Sequence, residues 1–263
     1  MSAEVFELHR GTAPLLVSLP HDGTALPDEI AARLTAQART VPDTDWHVAR
    51  LYAFARELGA SMLVPRFSRY VVDLNRSEDD VSLYPGQNTT GLCPIVRFSG
   101  DPVYLPGREP SEDEVRARVE RYWRPYHDAL RAELDRIRTA HGRVVLWEGH
   151  SIRGELPFLF EGRLPDLNLG TAAGASCSQA LQARLEALLA AQDEYDFVVN
   201  GRFKGGHITR HYGDPVNGVD AVQLEISQRV YMDEDSFDYD KAKAGSAQAL
   251  IRRLLETALT QAV

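Results

Sequence analysis

Short apolar runs alternate with amphipathic stretches along the whole chain. Residues 15–19 (LLVSL) form an apolar run that stops at Pro20, the pattern of a buried strand entering a loop. The loop PHDGTALP is rich in turn residues, and residues 28–35 then read as a helix with Asp28 as its N-cap. A second helix starts near Asp43 or Thr44, where Val48, Leu51, Tyr52 and Ala55 recur at helical spacing, and Gly59 stops it. Residues 61–64 and 70–74 read as two strands divided near Pro65. Residues 75–110 hold several Gly and Pro and little periodicity, which predicts a long loop that walls or covers a site. Residues 111–141 read as one long helix opened by Ser111 with Glu114 three residues on, a capping-box spacing. The clearest buried strand is 143–147 (RVVLW); further strands are predicted at 166–170, 195–199 and 221–227, and helices at 177–192 and 239–260.

Strands alternating with helices predict an α/β domain of three layers, helices on both faces of a mixed, largely parallel sheet. No repeat, linker or low-complexity segment divides the chain, so residues 1–263 read as one catalytic domain. A hydrophobic fraction of 44% against 25% charged residues is that of a globular protein. The net charge of -9 argues against nucleic acid as partner but leaves room for a local basic pocket. Two distant cysteines, Cys93 and Cys177, imply neither a disulfide framework nor a cysteine metal site. The N-terminal MSAEVFELHRG has no basic-then-apolar leader pattern, and no apolar run is long enough to span a membrane. A cytoplasmic location is the expectation; the oligomeric state is not legible.

Chemistry concentrates just after the apolar strands, where α/β sheets bind ligands. His21 follows LLVSLP and His150 follows RVVLWEG. Two such histidines can converge on one divalent metal with a carboxylate as third ligand, although each could equally be an ordinary hydrogen-bonded loop histidine. Asp45 is the preferred carboxylate, with Asp43, His47 and Asp22 as alternatives and N-capping as the plainer role for Asp43. Asn75 and Arg76 end the run VVDLN; the guanidinium offers a fork for a carboxylate, or an ion pair with Glu78, Asp79 or Asp80. Glu225 alternates with Val222 and Leu224 and must face away from them. If buried, its raised pKa suits a general base; if on an edge strand, it is merely exposed. The segment GRFKGGHITRHYG is basic and glycine-rich, without phosphate-loop spacing, and suits a loop closing on an anion, or a solvated turn. No GxSxG elbow is present, so a serine nucleophile is not favoured.

Seven ordered segments, SLPHDG, DTDWHVARLY, SRYVVDLNR, LYPGQNTTGLCP, LWEGHSI, GRFKGGHITRHYG and VQLEISQRVYMDE, resemble the N-formylglutamate amidohydrolase family over most of the chain. The resemblance implies a fold similar to zinc carboxypeptidases and aspartoacylases, a divalent metal with zinc foremost, and hydrolysis of N-formyl-L-glutamate to formate and glutamate. It implies a carboxylate grip by Asn75 and Arg76, a base at Glu225, and His21 and His150 as metal ligands. The family's wider group places a glutamate three residues after the first histidine; Thr24 stands there instead, so the second ligand comes from elsewhere, Asp45 by preference. Family members often have Asp where Glu148 stands. With Arg210 on a second carboxylate, the expected partner is a small dicarboxylate substrate. The alternatives are hydrolysis of another N-acyl amino acid or short peptide, and metal-free binding of acidic amino acids. A glutamate at 225 argues against the last.

Overall fold

The computed structural model describes residues 5–81 and 89–262. Seven strands form one sheet: β1 (Phe6–His9), β2 (Leu15–Ser18), β3 (Ser61–Pro65), β4 (Val144–Ile152), β5 (Leu167–Gly170), β6 (Phe197–Val199) and β7 (Val219–Ser227), in spatial order β1-β3-β2-β4-β7-β5-β6. The strands β3, β2, β4 and β7 run parallel to one another; β1 pairs antiparallel with β3, and β5 antiparallel with β7. The sheet is therefore mixed, as the alternation of strands and helices predicts. The helices are α1 (Asp28–Ala31), α2 (Val48–Leu51), α3 (Glu112–Arg118), α4 (Arg124–His141), α5 (Gln179–Ala190), α6 (His207–Tyr212) and α7 (Lys241–Ala262).

The core divides at the sheet because successive strand side chains point to opposite faces. Leu15, Val17, Val145, Trp147, Val222 and Leu224 pack with α2, α5 and α7 on one face. Leu16, Val144, Leu146, Val219 and Ala221 pack with Tyr126, Leu130, Leu134 and Ile137 of α4 on the other. Both β4 and β7 are buried along their whole length, which is why they read as near-continuous apolar runs.

Several elements differ from the sequence reading. The strand β1 is half-exposed and lies at the sheet edge, and its short alternation carried no signal. Residues 28–35 make only one turn, and Asp28 is its first residue, not its cap, which is Pro27. Residues 70–74 are not a strand. β3 already has β1 on one side and β2 on the other, so the segment folds as a buried turn. Its backbone is satisfied by Arg118, whose Nη1 donates to Val71 O at 3.1 Å, and by Leu92 O, which accepts from Asp73 N at 2.7 Å. The long helix over 111–141 is present, but Val119–Trp123 winds as a π-turn just before Pro125, whose ring cannot donate to the ladder. Ser111 caps α3 by accepting from Glu114 N, while the Glu114 carboxylate turns to Arg33 and Arg118 and does not close the box. The basic segment GRFKGGHITRHYG contains α6, which its composition did not announce. Residues 83–88 of LYPGQNTTGLCP lie outside the described residues.

Candidate active site

The site begins where the sheet changes character. On the α4 face of β4, the positions Val144 and Leu146 are apolar and the next two, Glu148 and His150, are polar. On β7 the same face carries Val219 and Ala221, then Gln223 and Glu225. The parallel register sets Glu148 beside Gln223 and His150 beside Glu225. Gly149 between the two β4 site residues faces the other core, where a Cβ would lie 2.6 Å from Leu19 and 3.0 Å from Tyr52. Glu225 points away from Val222 and Leu224, on an internal strand, and is buried.

Across from β4, the chain leaves β2 and places His21 in the loop, its ring centroid 4.9 Å from that of His150. Asp45 N donates to His21 O at 3.1 Å, which ties the segment before α2 to the same loop. Asp45 Oδ2 lies 3.0 Å from His150 Nδ1 and 3.8 Å from His21 Nδ1, and also accepts from Ser151 N. One ligand atom from each of His21, Asp45 and His150 falls within 4.8 Å of the others, all three residues being buried.

The outer nitrogens of both rings are taken by carboxylates. His21 Nε2 donates to Asp73 Oδ1 at 2.7 Å, and His150 Nε2 to Glu148 Oε1 at 2.8 Å, with Asn75 Nδ2 also 3.0 Å from His150 Nε2. Each ring therefore turns its Nδ1 toward Asp45, the orientation a cation ligand requires. Two imidazole nitrogens and a carboxylate oxygen, each backed by a hydrogen bond, fit a divalent cation with positions left open.

The alternatives to Asp45 have other work. Asp43 Oδ2 accepts from Tyr70 Oη and Phe98 N, so it ties two loops together and caps no helix. Asp22 Oδ1 accepts from Ala49 N at the start of α2, and burial pushes its carboxyl up to about 6. His47, in the left-handed region at φ 65°, donates from Nε2 to Phe237 O.

The cavity these groups line has a volume of 120 Å³ and includes His21, Asp45, His150, Asn75, Arg76 and Glu225. Two further charged lining residues, Arg69 and Asp73, escaped the sequence reading. Arg69 donates to Asp73 Oδ2 at 2.7 Å, lies 3.7 Å from Asp45 Oδ1 and stacks over the Phe98 ring. Asp73 accepts from His21, Arg69 and Asn75 N together. Both sit in or beside the apolar run read as a strand; the signal available was a buried Asp inside YVVDL. Arg210 is exposed on α6 and is not among the lining residues; its Nε donates to Gly205 O. Glu78 pairs with Arg124.

Charge in the cavity follows from burial and neighbours. Burial would raise the Asp73 carboxyl, but His21 and Arg69 outweigh it and hold it well below the usual range. Burial likewise opposes ionisation of Asp45, and the His150 hydrogen bond with the charges of His21 and Arg69 reverses it. Burial lowers His21, with Arg69 acting the same way. Burial pushes Glu225 up to about 8, against the pull of His150.

A mixed α/β fold with a buried His–Asp–His set and a buried carboxyl of raised pKa beside it defines a hydrolase-like centre able to hold a divalent cation. A family model described as N-formylglutamate amidohydrolase matches residues 13–232, and the chain belongs to that family. It is 53% identical to the N-formylglutamate deformylase of Pseudomonas aeruginosa and 49% identical to that of Pseudomonas putida. Each match spans 97% of this chain and 96% of the relative. Among solved structures it is similar to the N-formylglutamate amidohydrolase of Ralstonia eutropha JMP134, with TM-score 0.80 and 27% identity over 98% of this chain and 97% of that one. A protein of Agrobacterium tumefaciens shares the fold at TM-score 0.72 and 19% identity, over 98% of this chain and 97% of that one.

Proposed function

We propose that this chain hydrolyses N-formyl-L-glutamate to formate and L-glutamate, with residues 1–263 acting as one catalytic domain. The observation that carries the reading is the convergence of His21, Asp45 and His150 in one cavity with Glu225, Asn75 and Arg76. The two Pseudomonas relatives named for this activity, matched nearly end to end, support the substrate. We further propose that the fold is akin to that of zinc carboxypeptidases and aspartoacylases, which the parallel central strands and site at their carboxyl ends support.

Zinc is the proposed cation, on the chemistry of the donor set: held by His21, Asp45 and His150, it would polarise the formyl oxygen and make water more acidic. Glu225 takes the proton of the attacking water, and burial suits it to that role by bringing its pKa near neutrality. The water oxygen bonds to the formyl carbon, the carbon–nitrogen bond breaks, and Glu225 returns the proton to the leaving nitrogen. Arg69 places fixed positive charge at the wall where negative charge builds on the formyl oxygen. Asn75 and Arg76 hold one substrate carboxylate. Arg210 meets the other from the rim: its guanidinium folds back on Gly205, next to the cavity-lining Gly206.

The test is formate release from N-formyl-L-glutamate, before and after chelation and after zinc is restored, with N-acetyl-L-glutamate beside it. Release abolished by chelator and recovered with zinc supports the reading. Preference for the acetyl substrate would move the function to another N-acyl amino acid, and release indifferent to chelation would remove the metal from it.

A further inference from the structure

The basic, glycine-rich segment that the sequence suggested as an anion-closing loop has a different role on its helical side. Four consecutive backbone N–H groups at the start of α6 are directed at site residues. Gly206 N donates to Gln223 Oε1 at 2.7 Å, His207 N to Asn75 O at 3.3 Å, and Ile208 N to Asn75 Oδ1 at 2.9 Å. Thr209 N donates to Glu148 Oε2 at 3.1 Å. These are the donors that no helix can satisfy internally, and here Asn75, Gln223 and Glu148 accept them. The approach is close enough that a Cβ on Gly206 would lie 2.3 Å from Asn75 Nδ2 and would push the Asn75 amide out of place.

Thr209 adds a second contact. Its hydroxyl donates to the same Glu148 oxygen, and the residue is fully buried. Glu148 is thus held at Oε2 by Thr209 while Oε1 accepts from His150 Nε2. We infer that Thr209 is a positioning residue for His150, acting through Glu148, an assignment that rests on His150 being a metal ligand as read above. The physical reason is rotational. A buried glutamate has several side-chain torsions, and one oxygen pinned by two donors leaves the other aimed at the imidazole. With a cation bound, the imidazole would keep its outer proton on Nε2, toward Glu148, and present the Nδ1 lone pair to the metal beside Asp45. The same turn of α6 holds Asn75, so the metal side and the substrate side of the cavity share one anchor.

The experiment is zinc affinity by chelator competition on the full chain, with thermal unfolding of the metal-free protein recorded alongside. Thr209→Val keeps the branched shape and the backbone N–H and removes only the hydroxyl; Thr209→Ser restores a hydroxyl. The expected result is zinc binding weakened roughly 10-fold in Thr209→Val and regained in Thr209→Ser. Glu148→Gln is expected to weaken zinc similarly, with no further loss when Thr209→Val is added, and it carries the test if Thr209→Val does not fold. Parent-like zinc affinity in Thr209→Val overturns the inference, as does parent-like affinity in Glu148→Gln. A parent protein that binds no zinc overturns the metal reading itself, a result distinct from either.

Discussion

Replacing Asp73 by Asn tests the negative charge behind His21 without changing the shape of the site. Asp73 is buried, and its oxygens accept from His21 Nε2 at 2.7 Å, Asn75 N at 2.9 Å and Arg69 Nη2 at 2.7 Å. An asparagine oxygen in place of Oδ1 still accepts from His21 and Asn75. What is lost is the charge, which made the His21 nitrogen facing Asp45 a stronger donor, and the pair with Arg69. A carboxylate in this relation to a ligand histidine is worth about 10- to 100-fold in metal affinity, which is about 1.4–2.8 kcal/mol. The hydrogen bond to Arg69 is charge-assisted and worth about 1.5–3 kcal/mol, so metal-free Asp73→Asn should also melt at lower temperature. Chelator competition gives the zinc affinity and differential scanning calorimetry of chelated protein gives the stability. The refuting result is zinc affinity equal to the parent's: His21 would then either not be a ligand or not depend on the charge of Asp73 for its strength as one.

Glu225→Gln should lower kcat by about 10²- to 10⁴-fold while leaving zinc affinity near that of the parent, because the amide cannot accept the proton of water. Steady-state rates at saturating substrate check this. Arg76→Lys should raise KM about 10- to 100-fold, the loss of a charge-assisted bidentate contact, and should leave kcat on saturating N-formyl-L-glutamate little changed. Stability should fall as pH drops below about 6.5 toward about 3. His127, stacked on Trp123 and bonded to Tyr212 Oη and Leu74 O, is pushed down from 6.5 to about 3, first by burial. The unfolded chain takes up a proton over that range and the folded chain does not, so unfolding is favoured as pH falls through it. Urea unfolding of the parent and of His127→Gln across this range measures it, and the variant should show the shallower acid dependence.

The sheet and the side chains it aims at the cavity were legible because one face of each central strand changes from apolar to polar along its length. RVVLWEGH and AVQLEIS carry that change openly, and the direction in which Glu225 points follows from alternation alone. Where alternation was absent, the reading failed in a consistent way. YVVDL is apolar because it is buried, and a buried turn and a buried strand share that composition. Only the sheet order shows that β3 has no free edge for it. Asp73 and Arg69 were missed with that segment, since what marks them is the atom each touches. The basic segment held a second part that composition did not show: besides placing Arg210 at the rim, it carries α6, whose N-terminal donors are directed at Asn75 and Glu148.

By itself the sequence determined the alternating strands and helices, the burial of β4 and β7, and the polar residues at their carboxyl ends, all of which depend on periodicity and hydrophobicity that local spacing records. Tertiary structure alone decided which carboxylate joins the two histidines, which nitrogen of each ring is left to face it, and which residues hold those rings in place. Hydrogen bonds between residues 52, 61 and 105 positions apart set these choices, and such pairs have no periodicity along the chain.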